Sequence, residues 1–208
     1  HWSATSGGGG GASVPSASDD VTFDASSGGG TVTVTADHTV FTVTGGAFTG
    51  TRGYVSGRTI SYTTFTFTGT GTRSLNLRDA NITLTAAGLA WDITTTTNLT
   101  FSADSSTLNF TGSGSSMRPG NLSYGTLNAT GAGAFNFGFS STNSTYVNFN
   151  RTGTSTKTDN LRTEANITVT GTLTLAGNST VNRLFVYSSA TGTARTITTT
   201  GATVTATN

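Results

Sequence analysis

Only 9% of the 208 residues are charged, ten Lys and Arg against nine Asp and Glu, for a formal net charge of +1; ordinary globular domains are roughly 25% charged. The nine arginines and Lys157 stand singly, so no basic run exists to neutralise the phosphates of a nucleic acid, and no apolar stretch approaches the roughly 20 residues of a membrane-spanning helix. With no cysteine there is neither a disulfide nor a thiolate metal site, and with almost no net charge the chain lacks the signature of disorder.

Residues 1–20 stand apart. An unbroken glycine run, Gly7–Gly11, is followed by Ser, Ala and Pro15, which reads as a Gly/Ser-rich entry segment or cap. From Val21 onward Thr alternates with apolar residues, as in Thr31-Val-Thr-Val-Thr35, Thr64-Phe-Thr-Phe-Thr68 and Thr172-Leu-Thr-Leu175. Strict alternation sorts polar and apolar side chains to opposite faces of a strand. The inward pairs expected in chain order are Val21/Phe23, Val32/Val34, Phe41/Val43, Phe65/Phe67, Leu75/Leu77, Ile82/Leu84, Leu99/Phe101 and Leu108/Phe110. They continue with Leu122/Tyr124, Phe135/Phe137/Phe139, Val147/Phe149, Ile167/Val169, Leu173/Leu175, then Phe185/Tyr187 or Leu184/Val186, and finally Ile197 and Val204. Helix content is expected near zero; Ala86–Asp92 is the only helix-leaning window, and it is short and broken by glycine.

Such spacing fits a right-handed parallel β-helix (a solenoid) or an antiparallel β-sandwich or jelly roll. Turn chemistry favours the solenoid. Tight hairpins prefer Asn-Gly or Asp-Gly, and neither dipeptide occurs in a chain with 28 glycines. Gly177-Asn178 is the best hairpin candidate and Pro119-Gly120 suits a type II turn. The segment Asn76–Thr85 echoes Asn160–Thr170, sharing Asn-Leu-Arg and Ala-Asn-Ile-Thr, as stacked coils would. Within the echo, Asn81 and Asn166 each precede a strand and read as structural corner residues. The nine Asn-X-Ser/Thr triplets read as composition and not as glycosylation sites. The expected organisation is a cap over 1–20 and one solenoid over 21–208. The chain opens at His1-Trp2 without Met and closes on a strand-like segment, so the solenoid is expected to continue beyond residue 208.

No constellation dictates a reaction. The acids are Asp19, Asp20, Asp24, Asp37, Asp79, Asp92, Asp104, Asp159 and Glu164, and only Asp19-Asp20-x-x-x-Asp24 is a cluster. If Val21–Phe23 is extended, Asp20 and Asp24 share a face, which admits a calcium or polysaccharide-cleaving site; a capped first turn is the favoured reading. A triad would use His38, but adjacent Asp37 and His38 would point apart. Two histidines do not make a zinc site, and Gly7–Gly11 lacks the Lys-Ser/Thr of a phosphate loop. Phe135–Phe139 reads as core. The Thr-x-Thr pairs at Thr31, Thr64, Thr172 and Thr203 fall at unequal intervals, which argues against the registered array of an ice-binding face. Catalytic, cofactor and metal residues are therefore expected to be none, and no cofactor is called for.

The opening His1-Trp-Ser-x-x-Ser-Gly-Gly, followed by Pro15-x-x-x-Asp-Asp-Val-x-Phe-Asp24, resembles the entry segment of β-solenoid proteins of tailed phages and of large secreted bacterial surface proteins. Asn182-Arg-Leu-Phe-Val-Tyr-Ser188 and Gly192-Thr-Ala-Arg-Thr-Ile197 are similar to a segment further along such chains. The resemblance covers about a fifth of the sequence. It implies a virion fibre, spike or decoration, or an adhesin stalk, on a virion or cell surface. It brings no catalytic residues. The expected function is a non-enzymatic structural and adhesive surface, with a bacterial adhesin or a polysaccharide-degrading β-helix enzyme as alternatives. Its expected partners are neighbouring subunits or cell-surface glycans, with no membrane insertion and self-association as a further expectation for its exposed end coils.

Overall fold

A computed structural model describes residues 2–138 and 143–207 of the chain. Among the described residues there are nineteen β-strands, one 3-10 turn at Ala25–Ser27 and no α-helix. Every strand pairing is parallel; the antiparallel contact is an isolated bridge from Trp2 to Ala12 in the entry segment. The fold is a parallel β-solenoid of about 7 turns, and the alternative sandwich is excluded by the pairing direction. Gly177-Asn178 accordingly closes no hairpin: Ile167–Ala176 and Phe185–Ser188 on either side of it pair with other strands. The window Ala86–Asp92 is not helical; it carries the strand Gly88–Asp92.

Three faces run along the axis. Thr31–Val34, Thr51–Tyr54, Arg73–Asn76 and Leu99–Ser102 form the first, a four-stranded sheet. The second is a column of strands through residues 38, 60, 82, 108, 127, 149, 173 and 204. The third runs through Val43, Phe65, Trp91, Met117, Phe137 and Thr163 to Ser188. Residues one coil apart are 19 (Thr107 and Thr126) to 27 (Gly88 and Ser115) apart in sequence in the middle of the solenoid. In-register stacking of this kind puts side chains of successive coils about 4.8 Å apart, so like sits on like.

The inward columns are apolar and closely packed. Ile82, Leu127, Phe149, Phe65, Trp91 and Met117 are all fully buried. Ring contacts join coil to coil: Phe65 stacks on Trp91 at 4.6 Å, Trp91 meets Tyr124 at 6.4 Å, and Tyr124 stacks on Tyr146 at 5.3 Å. Contact continues outward from Phe65 through Phe67, Phe48 and Phe23 to Trp2 in the entry segment. The entry segment is thus tied to the first coil by aromatic packing.

Most expected inward pairs face inward, but two do not. Phe41 and Val147 are each 48% exposed, whereas Val40 and Tyr146 are buried. Both errors have one cause. Long strands, His38–Gly45 and Ser144–Thr152, bend around a corner of the solenoid. The bend inserts a residue, so inward positions fall three apart (Val40/Val43, Tyr146/Phe149) and the two-residue alternation changes parity. Tyr62/Phe65 and Tyr124/Leu127 repeat the device. In the last full coil Val186 pairs with buried Leu161 and so holds the inward register, although it is 44% exposed, as Val204 is at 53%; Phe185 pairs with Asn160 and is 68% exposed. Phe139 lies outside the described residues. The echo segments are not superposed: Ile82 stacks through Leu108, Leu127 and Phe149 onto Leu173, while Ile167 lies between Ser144 and Ile197. Each is a strand–corner–strand unit, one face out of phase with the other.

Close coil contact makes some glycines obligatory. A Cβ built on Gly69 would lie 1.7 Å from the carbonyl oxygen of Gly46 in the coil before it, whereas one on Gly53 meets nothing within 4 Å. Gly69→Ala is expected to lower unfolding free energy by about 1–3 kcal/mol or more, and Gly53→Ala to leave it unchanged or raise it; chemical denaturation of the two variants measures the contrast.

Candidate functional site

The outer surface of the second face repeats from coil to coil. Two columns stand two residues apart on every strand. The first runs Thr59, Asn81, Thr107, Thr126, Asn148, Thr172, Thr203. The second runs Ser61, Thr83, Asn109, Asn128, Asn150, Thr174, Thr205. Unequal intervals between Thr-x-Thr pairs argued against such register. Of those pairs, Thr172/Thr174 and Thr203/Thr205 stand in these columns, directly against each other, whereas Thr31/Thr33 lies on the first face and Thr64/Thr66 runs on to the third. Strand geometry spaces the rows about 4.8 Å across and about 6.7 Å along the strand.

The asparagines bond from coil to coil, Asn109, Asn128 and Asn150 of the second column being joined at one end by Asn81 of the first. Asn109 Nδ2 donates to Asn81 Oδ1, Asn128 Nδ2 to Asn109 Oδ1 at 2.9 Å, and Asn150 Nδ2 to Asn128 Oδ1 at 2.9 Å. A carboxamide has two N–H donors and two acceptor lone pairs. Each link of the ladder uses one of each, and Asn109 Nδ2 also reaches the Ile82 carbonyl at 3.5 Å. Sequence reasoning missed this ladder although a signal was present. Thr107-Leu-Asn-Phe-Thr-Gly112, Thr126-Leu-Asn-Ala-Thr-Gly131 and Asn148-Phe-Asn-Arg-Thr-Gly153 are one motif, three times, in successive coils.

Most acidic side chains serve as corner fasteners. Asp24 caps the 3-10 turn, accepting from the Ser26 and Ser27 amides and from the Ser6 and Ser27 hydroxyls. The Ser6 hydroxyl, ahead of the opposing effect of burial and helped by those other donors, holds its carboxyl below the usual range. Asp19 accepts from the Ser16 amide and hydroxyl, both at 2.7 Å. Asp20 and Asp24 line one open polar groove of about 750 Å³, but Asp24 is committed to its cap, so the Asp19/Asp20/Asp24 cluster is a capped first turn. Other fasteners reach the neighbouring coil. Asp37 accepts from the Thr59 amide at 2.9 Å, Asp79 from the Gly57 amide at 2.9 Å, and Asn143 from the Asn166 amide at 2.9 Å. Asn166 accepts in turn from the Thr196 amide at 3.0 Å, which is the corner role expected of it; Asn81 belongs instead to the ladder. Left-handed backbone falls at Asn98 and Asn121, and at Gly120 of the Pro119-Gly120 turn.

The remaining acids are paired in the same manner. Asp92 bonds Thr94 and pairs with Arg118 at 3.2 Å; Glu164 pairs with Arg162 at 3.2 Å; Asp104 bonds Ser102. Asp37 and His38 diverge: the carboxylate faces the Thr59 amide and Arg58, while the imidazole packs edge-on against Tyr62. Burial lowers the His38 pKa. Among the described residues no three His, Cys, Asp or Glu side chains converge as a metal site.

Three arginines are buried, at positions that were not among the inward residues expected from the sequence. Each sits at an inward position of a strand, in phase with apolar neighbours: Arg52 with Tyr54, Arg73 with Leu75, and Arg151 with Phe149. Arg73 donates to the carbonyls of Gly71, Thr95 and Thr97. Arg151 donates to those of Ala129, Gly131, Gly133, Thr152 and Asn160 and lies 3.9 Å from Asp159. Both plug a coil by collecting corner carbonyls. Arg52 instead donates to the Tyr62 phenol at 2.8 Å, which lies 2.9 Å from the Tyr54 phenol; burial pushes the Tyr62 phenol well above its ordinary value. Arg52 also lines a cavity of about 320 Å³ at the first-coil end of the solenoid.

Comparison with family models, with curated proteins and with solved structures gives no match for this chain. No helix among the described residues is long and apolar enough to cross a membrane.

Asp159 is the best-tied corner acid. Burial pushes its carboxyl up, but the Thr154 amide and hydroxyl, the Gly133 amide and Arg151 outweigh that and hold it below its usual 3.8. A lowered folded-state pKa contributes stability that is present above the unfolded value and lost as pH falls through the folded one. Asp159→Asn is therefore expected to cost about 1–3 kcal/mol at pH 7 and to flatten the acid limb of stability below about pH 4; urea denaturation from pH 7 down to pH 2 measures both.

Proposed function

We propose that the protein is a structural and adhesive surface module, a rigid β-solenoid whose Thr/Asn face engages cell-surface glycans or neighbouring subunits. The observation that carries this reading is the two-column register of the second face, maintained over seven strands. A repeated row of hydroxyls and carboxamides supplies many weak, evenly spaced hydrogen bonds, and their sum is useful against a repeating partner such as a glycan chain. The low charge content makes such binding insensitive to salt, because little of it comes from ion pairs. The resemblance of the entry segment to phage and bacterial surface solenoids supports a fibre, spike or decoration component of a phage virion as the particular role. The same register also meets the geometric demand of an ice-binding face. The glycan reading is favoured because the asparagines are partly spent on one another and alternate irregularly with threonine, so the rows are not chemically uniform.

A bacterial surface adhesin and a polysaccharide-degrading enzyme are the alternatives. The enzyme reading has least support: the Asp20/Asp24 groove holds one carboxylate fixed by a cap, and Asp19 bonds Ser16 beside it. Immobilised protein is expected to retain bacterial surface polysaccharide from low to high salt and to release no new reducing ends. Thr107→Lys with Thr172→Lys, three coils apart in the same column, is expected to weaken retention about tenfold while moving unfolding free energy by no more than about 0.5 kcal/mol per site. Retention unaffected by the pair, or release of reducing ends, would count against this function.

A further inference from the structure

The cavity at the first-coil end is lined by Trp2, Val14, Val21, Val32 and Val34, with Arg52 contributed by the next coil. Arg52 is 3% exposed. Its Nε has no hydrogen-bond partner, and none of the ion pairs among the described residues includes it. The guanidinium is surrounded by rings, with Cζ 5.2 Å from the centroid of Phe23, 5.5 Å from Tyr54, 5.7 Å from Phe65 and 6.0 Å from Tyr62. Ring faces attract a cation but accept no conventional hydrogen bond from it. A guanidinium stays protonated whatever surrounds it, so its charge cannot be shed by titration.

The other two buried arginines show what this fold does when the role is purely structural. Arg73 and Arg151 are surrounded by backbone carbonyls of adjacent coils, and Arg151 has a carboxylate nearby as well. The Nε of Arg73 is likewise unpartnered, but its terminal nitrogens are taken by carbonyls; Arg52 has phenols, rings and an open apolar cavity instead. A buried cation without an anion is a costly arrangement. Burial among valines beside that cation selects a partner with one negative group and an apolar body. The nearest acid at the rim, Asp37, is turned to the Thr59 amide and Arg58.

We propose that this cavity binds a small apolar carboxylate, its headgroup paired with Arg52 and its body lying against Trp2 and the valines. At about 30 Å³ per non-hydrogen atom, the share of one water in the liquid, the volume suits on the order of ten such atoms. A medium-chain fatty acid or an aryl-alkanoate has that size. The site is independent of the two outward columns, since none of their residues lines the cavity.

Octanoate is the probe, with octanamide as its neutral analogue, and the readouts are calorimetry and the emission of Trp2. Octanoate is expected to bind the whole chain saturably at one site and to change tryptophan emission, a change absent in Trp2→Phe. Octanamide is expected to bind more weakly by a factor of at least about ten, since a hydrogen-bonded charge contributes that much. Arg52→Met is expected to bring the two ligands to equal affinity. No saturable octanoate binding, equal affinity of both ligands for the native chain, or undiminished octanoate binding by folded Arg52→Met would each overturn the proposal. If Arg52→Met does not fold, the comparison of octanoate with octanamide on the native chain decides.

Discussion

The parallel backbone ladder between successive coils is the constraint on which the rest depends. It fixes each residue on top of its counterpart one coil earlier, 19 to 27 positions back along the chain in the central coils. Once that register is set, inward positions must form continuous apolar columns and outward positions continuous polar ones. The aromatic contacts from Trp2 to Phe149, the Asn ladder and the Thr rows are three consequences of one ladder. So are the costs. A buried arginine cannot hide in a loop; it must find acceptors in its own and a neighbouring coil, as Arg73 and Arg151 do.

Corners are where the ladder is weakest and where polar side chains matter most. A turning backbone leaves amides without a ladder partner, and a buried or half-buried amide needs one. Asp37, Asp79, Asn143, Asp159 and Asn166 each accept from an amide of an adjacent coil. Few of the chain's acids remain for chemistry. The charge-poor composition therefore has a structural meaning: carboxylates are placed chiefly where the ladder needs an acceptor, and the flat faces are left to hydroxyls and carboxamides.

Fold class was legible because alternation of Thr with Val, Leu, Ile and Phe is a local signal, and the lack of Asn-Gly and Asp-Gly disfavours hairpins. Thr33 is exposed and Val34 half-buried, as alternation requires. Parity at the bends was not legible. Phe41 and Val147 look inward by counting in twos, yet the corner adds a residue that only the three-dimensional bend reveals. The inward arginines were legible in part, since Arg52, Arg73 and Arg151 are in phase with buried neighbours. The register of the outer columns was written in the Leu-Asn-x-Thr and Phe-Asn-x-Thr repeats, but variable coil length concealed it from a search for equal spacing. The cavity beside Arg52 could not be read at all, because it is made by residues of the entry segment and two coils meeting at one end.

Coil-on-coil register is tested most directly by distances along one outward column. The chain has no cysteine, so single pairs can be introduced and spin-labelled: Thr59 with Thr126, Thr59 with Thr172, and Thr59 with Thr203, which are three, five and six coils apart. Pulsed electron–electron resonance is expected to give separations rising linearly by about 4.8 Å per coil, near 14, 24 and 29 Å. Separations that do not track coil number, or a Thr59–Thr203 distance shorter than Thr59–Thr126, would contradict a stacked solenoid.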